Sequence, residues 1–285
     1  MPTVYLNGQY LPIDEAMISV CDRGFLLADG VYEVIPVLNG RLFRLEEHLE
    51  RLEHSLSAIQ LDFDCSTLPD LMTELIGRNG SGNQSLYLQI TRGCDPNPVR
   101  RHVFPTSIKP TLYISSDILV PNSKEKLAQG ATAITLPDLR WHQCQIKTIG
   151  LLANVLAAQE AKNRGAIDAI LIREGHALEG ASSNLFIIKD NILFTSPLNE
   201  TILGGVTRSV VLELAKMHHI PFEERDLAES ELYSADEIWL TSSTKDIVPI
   251  LMLNEAPIGT GEPGPLWHRM IDAYFNYREK LSQYE

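Results

Sequence analysis

Three short turn signals, each set between strand-like segments, restrict what this chain can fold into more than any other feature. Gly, Asn and Asp accept the positive φ angles of a tight hairpin, so each signal predicts a pair of antiparallel strands. The turns are Asn7-Gly8, Asn39-Gly40 and Lys189-Asp190-Asn191, and their flanking segments are Val4 to Leu6 with Tyr10-Leu11, Val31 to Leu38 with Arg41 to Phe43, and Asn184 to Ile188 with Ile192 to Phe194. The sequence therefore predicts antiparallel ribbons in both halves of the chain.

Between the ribbons of the first half, apolar residues recur at helical spacing. Side chains three or four positions apart form two stripes, which predict two amphipathic helices. The stripes are Leu45, Leu49, Leu52, Leu56 and Ile59, and Leu68, Leu71, Met72 and Leu75. Two further strands follow at Leu86 to Ile90 and Leu112 to Ile114, separated by a loop through Pro96 and Pro98 to Arg100-Arg101-His102.

A turn-rich segment, Asp117 to Lys126, is the best interdomain linker by composition. We expect a boundary near Pro121, with an N-terminal α/β domain over 1–120 and a C-terminal domain over 121–285. The second domain mixes strands and helices, namely strands at Ala131 to Leu136 and Ala169 to Ile172, and helices at Thr148 to Asn163, Thr207 to His218 and Leu266 to Leu281. The expected fold class is therefore α/β, of the α+β type, in two domains.

The composition argues against several classes of protein. A net charge of −13 over 285 residues disfavours a nucleic-acid surface, which needs a basic face. The four cysteines and the His218-His219 pair lack the spacing of metal ligands, so we expect neither a metal site nor a disulfide framework. No apolar run approaches the roughly 20 residues of a membrane-spanning helix, and the N-terminus lacks the features of a signal peptide. We expect a cytoplasmic protein that binds neither nucleic acid nor membranes.

Lys147 and two later motifs carry the candidate chemistry. Apolar neighbours should hold the lysine out of bulk water, where an ammonium loses its proton more readily and the amine can form a Schiff base. These neighbours are Trp141, Ile146, Leu151, Leu152, Val155 and Leu156. Glu179 could keep a heterocyclic nitrogen protonated, and the turn at Gly204-Gly205 ahead of a helix could present N–H groups to a phosphate. A lysine, an acid and an anion site are what pyridoxal 5'-phosphate (PLP) requires, so we expect the domain over 121–285 to bind PLP.

Eight motifs resemble, in order, the pattern of fold-type IV PLP-dependent aminotransferases and span nearly the whole chain. They are Asp22-Arg23-Gly24, Asp29 to Glu33, His48 to Leu52, Ile146-Lys147, Gln159-Glu160-Ala161, Glu179 to Asn184, Gly205 to Arg208 and Thr241-Ser242-Ser243. Within that family the chain looks most like the D-amino acid (D-alanine) aminotransferases, because of Arg100-Arg101-His102 and the approach from Trp141 to Lys147. The resemblance implies a homodimer that exchanges amino groups between D-amino acids and 2-oxo acids, with the site at the domain and subunit interface.

The resemblance also implies a role for each matching residue in the cofactor site. Lys147 would bind PLP covalently and later move the proton between the substrate Cα and C4′ of the cofactor. Glu179 would pair with the pyridine nitrogen, and Leu203 would pack on the ring. The remaining cofactor residues would be Ser182, Ser183 and Asn184 along its side, and Arg51, Val206, Thr207 and Ser243 at the phosphate. Ser243 departs from the threonine expected there, but it keeps the hydroxyl.

Substrate choice would depend on Tyr32, Arg100 and His102, which the resemblance assigns to the α-carboxylate, with Arg100 and His102 supplied by the second subunit. Arg101 departs from the pattern by adding a guanidinium. D-Alanine and 2-oxoglutarate, giving pyruvate and D-glutamate, are the expected pair. Other functions of the same fold are a branched-chain L-amino acid aminotransferase, an (R)-amine transaminase and an aminodeoxychorismate lyase, which Arg100-Arg101-His102 argues against. A non-catalytic PLP-binding protein is the alternative from another class, and Lys147 with Glu179 argues against it.

Overall fold

A computed structural model describes residues 1–80, 82–95 and 100–283 of the chain. They form two compact units, which we call unit 1 (Met1–Pro121 and Ile146–Leu151) and unit 2 (Asn122–Gln145 and Leu152–Glu285). The short segment that carries Lys147 therefore belongs with unit 1, although it follows Pro121 in the sequence. The division into domains at residues 120 and 121 stays a prediction. Pro96 and Pro98 of the predicted loop lie outside the described residues.

Unit 1 is an antiparallel sheet packed against two helices. Its described elements are β1 (Thr3–Leu6), β2 (Gln9–Pro12), α1 (Arg23–Leu27), β3 (Gly30–Leu38), β4 (Arg41–Leu42), α2 (Leu45–Ala58), α3 (Leu68–Arg78), β5 (Gln84–Thr91) and β6 (Thr111–Ile118), with single 3-10 turns at Ile13–Glu15 and Cys65–Thr67. The strand order is β2-β1-β6-β5-β3-β4. Both Asn-Gly hairpins are confirmed, since Leu6 pairs with Gln9 and Leu38 pairs with Arg41.

The core of unit 1 explains why its helices form where the leucine stripes predict them. Leu52 and Leu56 of α2 and Met72 and Leu75 of α3 are buried against the sheet, together with Leu88 of β5. Burying one such side chain contributes roughly 1.5–3 kcal/mol, so the helices are stabilised mainly by this packing. Strand β6 extends to Ile118, and the predicted linker is therefore partly strand.

Unit 2 is a larger sheet with helices. Its described elements are α4 (Lys124–Leu127), β7 (Ala131–Pro137), α5 (Leu152–Asn163), β8 (Asp168–Arg173), β9 (His176–Gly180), β10 (Asn184–Lys189), β11 (Ile192–Thr195), α6 (Val206–Met217), β12 (Phe222–Glu224), α7 (Glu229–Ser234), β13 (Glu237–Ser242), β14 (Asp246–Leu253), β15 (Ala256–Pro257) and α8 (Pro265–Gln283). The strand order is β12-β11-β10-β13-β14-β7-β8-β9, and β15 pairs with β14. The predicted hairpin of β10 and β11 is confirmed by the pairing of Lys189 with Ile192.

One pairing in unit 2 places functional residues side by side. Strand β9 pairs with β10 as well as with β8, through Glu179 and Asn184. The strands from β10 through β13, β14, β7 and β8 to β9 therefore close on themselves. Closure brings the end of β9 and the start of β10 together across the tight turn of Ala181 to Ser183.

The predicted helix at Thr148 to Asn163 is wrong at its N-terminal end, because α5 begins only at Leu152. Thr148 forms an antiparallel bridge with Val31, and the Ile149 N–H donates to the Gly30 carbonyl at 3.1 Å. A residue whose backbone groups bond to a neighbouring strand cannot also adopt the helical pattern. In the part of the chain that the structure describes, no helix has both the length and the apolar character needed to cross a membrane.

Candidate active site

Lys147 lies in a short segment that runs antiparallel to the start of β3 in unit 1. Its carbonyl accepts a hydrogen bond from the Tyr32 N–H at 3.0 Å, and its own N–H donates to Ser55 Oγ on α2 at 3.2 Å. The side chain is half-buried, and its Nζ lies 4.2 Å from the centroid of the Tyr32 ring. The backbone is fixed from two sides, so the amine is presented from a rigid support.

The prediction that flanking apolar residues shield Lys147 is wrong for most of them. Ile146 is buried, but the side chains of Trp141, Leu152, Val155 and Leu156 are exposed. The reason is that α5 packs on its own sheet through small residues, Ala157 and Ala161 among them, and turns its bulky apolar face outward. The aromatic ring of Tyr32 is instead the apolar surface next to the amine.

Tyr32 keeps its hydroxyl proton at neutral pH. Burial and, to a smaller extent, the Glu33 carboxylate raise the pKa of the Tyr32 phenol, while Arg51 acts in the opposite direction. The Tyr32 ring also stacks obliquely on Tyr87, with the centroids 5.7 Å apart. A neutral phenol beside Lys147 can stabilise an ammonium through its ring face or donate a hydrogen bond to a substrate anion.

Arg51 is held by the buried carboxylate of Glu33, a residue for which the sequence predicted no role. Its Nε and Nη2 donate to the two Glu33 oxygens at 2.8 and 2.7 Å, and His48 Nδ1 lies 2.8 Å from Glu33 Oε2. Burial raises the pKa of the Glu33 carboxyl, but the contacts with Arg51 and His48 outweigh burial and lower this pKa to about 2. Burial lowers the pKa of His48, so its imidazole is neutral and the group carries one balanced ion pair.

Arg100 and His102 are both exposed on the loop before β6, and Arg101 between them is exposed as well. The structure therefore shows two predicted carboxylate-binding side chains on one loop, whereas Tyr32 lies in β3. The described part of this loop begins at Arg100.

In unit 2, Glu179 is buried at the end of β9 and is surrounded by donors. Asn184 Nδ2 donates to Glu179 Oε2 at 3.0 Å, and the Leu203 N–H donates to both carboxylate oxygens at 3.2 and 3.1 Å. Asn184 Nδ2 also donates to the Leu203 carbonyl at 2.7 Å. Three predicted cofactor residues, Glu179, Asn184 and Leu203, thus form one connected group.

Arg140, which is not among the residues predicted from the sequence, completes this group. Its Nη1 donates to Glu179 Oε1, while its Nε donates to Asp138 Oδ1 at 2.9 Å, and Asp138 is also bound by Arg173 at 2.8 Å. Burial raises the pKa of Glu179 to about 7, against the opposite pull of Arg140 and the Leu203 N–H. Burial lowers the pKa of Arg140, but the contacts with Asp138 and Glu179 outweigh burial and raise the pKa above its ordinary value. The guanidinium therefore stays charged.

The turn between β9 and β10 is organised by the buried carboxylate of Asp168. Its Oδ1 accepts from the Ala181 N–H at 3.0 Å, and its Oδ2 accepts from Ser183 Oγ at 2.8 Å and from Ser182 Oγ at 3.3 Å. Ser183 is buried, whereas Ser182 is exposed and also accepts from Lys245 Nζ at 3.4 Å. Ser183 is therefore committed to the turn, and Ser182 is the serine open to solvent.

The N-terminus of α6 is the candidate anion site of unit 2. The helix begins at Val206, and its N-cap residue is Gly205, which has no side chain to accept from the first-turn N–H groups. Val206 and Thr207 are buried, and the Thr207 side chain hydrogen-bonds with the Tyr274 hydroxyl. Ser243 is half-buried in the turn between β13 and β14. Backbone N–H groups and the helix dipole favour a negatively charged ligand at this end of α6.

Gly205 and Gly204 form a matched pair for testing this anion site. A Cβ at Gly205 would lie 1.9 Å from Asn184 Oδ1, whereas at Gly204 the nearest atom is Leu198 Cδ2 at 3.6 Å. We expect Gly205→Ala to displace Asn184 and α6 and to weaken PLP binding roughly ten- to hundredfold, the equivalent of overpacking by about 1–3 kcal/mol. Gly204→Ala should bind PLP almost as the wild type does. Absorbance titration of the apoprotein measures both, and equal affinities for the two variants would reject the anion site.

The missed residues had a signal in the sequence. Glu33 occupies an inward position of β3 between the buried Val31 and Ile35, and a carboxylate at such a position needs a buried partner. His48 and Arg51 are three residues apart on one helix and so share a face that can supply it. Asp138 and Arg140 likewise lie two residues apart, just after the end of β7. The described residues contain no group of three or more His, Cys, Asp or Glu side chains that could bind a metal ion.

Comparison with known proteins identifies the class of enzyme. Residues 30–253 match the amino-transferase class IV family. A D-alanine aminotransferase of Bacillus licheniformis is 38% identical over 275 residues, which cover 96% of each sequence. Among solved structures, the branched-chain aminotransferase of Thermoproteus uzoniensis with norvaline has a TM-score of 0.87 at 27% identity, covering 96% of this chain and 94% of that one.

A second solved structure is similar to this chain and contains a derivative of the cofactor. It is the T.th. branched-chain amino acid aminotransferase complexed with N-(5'-phosphopyridoxyl)-L-glutamate, with a TM-score of 0.85 at 25% identity, covering 96% of this chain and 93% of that one. The chain belongs to the class IV aminotransferases, the fold-type IV enzymes that use PLP. The family, the α/β fold class and the cofactor predicted from the sequence are confirmed.

Each unit carries side chains of the kinds that this cofactor needs. Unit 1 supplies a rigidly held lysine beside a neutral phenol, and an arginine with its guanidinium fixed by Glu33. Unit 2 supplies a buried carboxylate and a helix N-terminus whose N-cap is glycine. An aldehyde, a pyridine nitrogen and a phosphate monoester each need one of these groups.

Proposed function

We propose that this enzyme transfers the amino group reversibly between D-amino acids, D-alanine and D-glutamate first among them, and the 2-oxo acids pyruvate and 2-oxoglutarate. The observation that carries the proposal is the similarity of nearly the whole chain to a D-alanine aminotransferase. The solved branched-chain enzymes are similar at lower identity, 27% and 25%. They make an L-amino acid activity the alternative to test.

Lys147 and Glu179 have separate tasks in this proposal. When bound, PLP supplies an electron-poor ring that accepts the electron pair of the broken Cα–H bond. Lys147 would hold the cofactor covalently before the substrate binds. Once released, its amine would take the proton from the substrate Cα and deliver it to C4′ of the cofactor, and the second half-reaction would run the same transfer in reverse. Glu179 keeps the ring nitrogen protonated, and Asn184 and the Leu203 N–H fix the orientation of its carboxylate. Leu203 and Ser182 line the ring site, and Ser183 orders it by holding the turn to Asp168.

The phosphate is bound by positive charge and hydrogen-bond donors. Arg51 presents a guanidinium whose orientation Glu33 fixes, and the first turn of α6 contributes the N–H groups of Val206 and Thr207. Ser243 contributes a hydroxyl. A phosphate monoester carries close to two negative charges at neutral pH, so these donors together give the charge-assisted contacts that it requires.

The α-carboxylate of the substrate is bound by Tyr32, Arg100 and His102. A guanidinium and an imidazole on one loop can make bidentate, charge-assisted contacts with a carboxylate. An amine substrate without a carboxylate cannot form these contacts. We propose that Arg100 and His102 act on the site of the partner in a homodimer. Which face of the substrate Cα meets Lys147 then depends on the side from which the carboxylate is held, and this selects the D-enantiomer.

Exposed apolar side chains support the homodimer. Leu152, Val155 and Leu156 are exposed at one-face helical spacing on α5, and Met17, Val20 and Phe25 are exposed in unit 1. The three side chains on one face of α5 form an exposed apolar patch, and such patches mark protein interfaces. The net charge of −13 disfavours binding to nucleic acid and to anionic membranes, so small anions must bind in local positive pockets. We propose the cytoplasm as the location of the protein.

A panel of matched enantiomers tests the proposed function. We expect the wild type to prefer D-alanine and D-glutamate to their L-forms and to L-leucine and L-valine. Arg100→Ala should raise KM for D-alanine roughly ten- to hundredfold, because the carboxylate loses a charge-assisted contact. Arg101→Ala should have a smaller effect, and the double variant should be worse than either single one.

Steady-state kinetics with each amino donor and 2-oxoglutarate gives these values. A wild-type preference for L-leucine or L-valine would assign the chain to the branched-chain aminotransferases. D-Alanine kinetics that none of the three variants changes would remove Arg100 and Arg101 from substrate binding. A protein that binds PLP but shows no half-reaction with any amino acid would be a non-catalytic member of the family.

A further inference from the structure

We propose that Arg23 is a positioning residue that fixes the carboxylate-binding loop through the loop backbone. The inference rests on the proposed function, because it gives Arg100 and His102 their role. Arg23 lies in α1, far in the sequence from this loop, and its side chain is 4% exposed. The contacts that carry the inference all lie within unit 1.

The Arg23 guanidinium donates to three consecutive carbonyls of the loop. Nη1 donates to the carbonyl oxygens of Arg101 at 2.8 Å and Val103 at 3.4 Å, and Nη2 donates to that of His102 at 3.4 Å. The planar guanidinium thus fixes the peptide groups on both sides of His102. Since a side chain leaves the backbone in a direction set by its peptide groups, Arg23 controls where His102 points.

A second contact holds the same loop. The ring of Phe104 lies on the guanidinium of Arg92, with Arg92 Cζ 3.7 Å from the ring centroid. Arg92 is itself fixed, because its Nη1 and Nη2 donate to the carbonyls of Gln60 and Ile59 at 3.1 and 2.6 Å. The loop is therefore attached at its carbonyls and at one aromatic side chain.

Asp29 joins the two attachment points. Its Oδ2 accepts from Arg23 Nε at 2.7 Å and from Arg92 Nε at 2.8 Å. Two buried guanidinium groups share this one carboxylate, so the group retains a net positive charge that needs further acceptors. The carbonyl oxygens of Arg101, His102 and Val103 supply them, and releasing the loop would leave buried donors unsatisfied.

The expected consequence is a loop that is ordered before the substrate arrives. A loop that must be ordered on binding loses affinity, because the lost conformational freedom is subtracted from the contact energy. Fixing the carbonyls on both sides of His102 removes this loss. Arg23 therefore acts on the binding of substrates that carry a carboxylate, without touching substrate or cofactor.

Arg23→Lys is the test, because a lysine keeps the charge beside Asp29 but cannot donate in a planar fork to three carbonyls. We expect KM for D-alanine to rise roughly tenfold and kcat to change less than about threefold. The half-reaction rate with D-alaninol, in which CH₂OH replaces the carboxylate, should equal that of the wild type. Arg78→Lys is the matched control, since Arg78 also pairs with a carboxylate, Glu74 at 2.8 Å, on the surface of unit 1.

Limited digestion with trypsin measures the attachment of the loop without using activity. Arg23→Lys should be cleaved after Arg100 and Arg101 several times faster than the wild type and the Arg78→Lys control. If Arg23→Lys does not fold, Phe104→Leu, which removes an exposed ring from Arg92 and no buried charge, should show the same two changes in weaker form.

The outcomes separate the inference from the proposed function. The inference is supported if Arg23→Lys is cleaved faster and has a raised KM for D-alanine while its half-reaction rate with D-alaninol is unchanged. Equal loss with D-alanine and D-alaninol, or an unchanged KM and cleavage rate, overturns it. A wild type that does not use D-amino acids refutes the proposed function, whereas the digestion rates still report whether Arg23 holds the loop.

Discussion

Replacing Lys147 with alanine is expected to reduce transamination by about three orders of magnitude or more, while the protein still binds PLP without a covalent link. In the proposed function the lysine provides both the covalent attachment and the proton transfer at the substrate Cα. General acid–base catalysis alone raises a reaction rate roughly 10²- to 10⁴-fold. The backbone contacts of residue 147 to Tyr32 and Ser55 do not involve its side chain, so the fold should survive. Single-turnover absorbance changes with D-alanine give the rate.

Lys189→Ala is the matched control, because Lys189 lies at the opposite end of β10 from Asn184, its side chain is 45% exposed, and it forms an ion pair with Asp236 at 3.0 Å. Its activity should equal that of the wild type. Borohydride reduction of the wild type followed by peptide mapping should place the cofactor on the peptide that contains Lys147. A label on any other lysine would refute the assignment, as would full activity of Lys147→Ala.

Glu179→Gln should bind PLP but perform the half-reaction roughly ten- to hundredfold more slowly. A neutral amide cannot keep the ring nitrogen protonated, and losing one charge-assisted hydrogen bond costs about 1.5–3 kcal/mol in the transition state. The amide oxygen can still accept from the Leu203 N–H, and Asp138 still pairs with Arg140. The loss should therefore appear in the rate more than in folding or in PLP stoichiometry.

Glu231→Gln provides the comparison for that variant. Glu231 also forms a two-contact ion pair with an arginine, Arg225 at 3.0 and 2.6 Å, but it lies at the surface in α7. Its half-reaction rate should be unchanged. If Glu179→Gln reacts at the wild-type rate, Glu179 serves only to hold Arg140 and the Leu203 turn in place.

The elements that depend on local signals could be predicted. The hairpins at Asn7-Gly8 and Asn39-Gly40, the helix α2 and the start of α6 after Gly205 follow from turn chemistry and from apolar spacing within a few residues. No glycine, asparagine or proline marks the turn between strands β13 and β14, and these strands were not predicted. Their pairing in the centre of the sheet is a property of the whole unit.

The environment of the site could not be predicted, because it depends on residues distant in the sequence. The bridge between Val31 and Thr148 places Lys147 beside Tyr32, and it is also what delays the start of α5 to Leu152. The sequence shows apolar residues near Lys147 but not which way α5 faces. Likewise Glu179 could be recognised from its motif, whereas the contact with Arg140 required the folded unit.

The ion pair of Glu179 with Arg140 bears on how the apoprotein behaves. Because the guanidinium already neutralises the carboxylate within unit 2, departure of the cofactor strands no isolated charge in the interior. The Asn184 and Leu203 donors also stay in place. If Glu179 binds the cofactor as proposed, the donors around it are in place before the cofactor arrives, and we expect reconstitution of the apoprotein to require no refolding of unit 2. Cofactor analogues that differ in one ring atom can then be bound to the same apoprotein, so that the electron-withdrawing strength of the ring is varied while the protein stays constant.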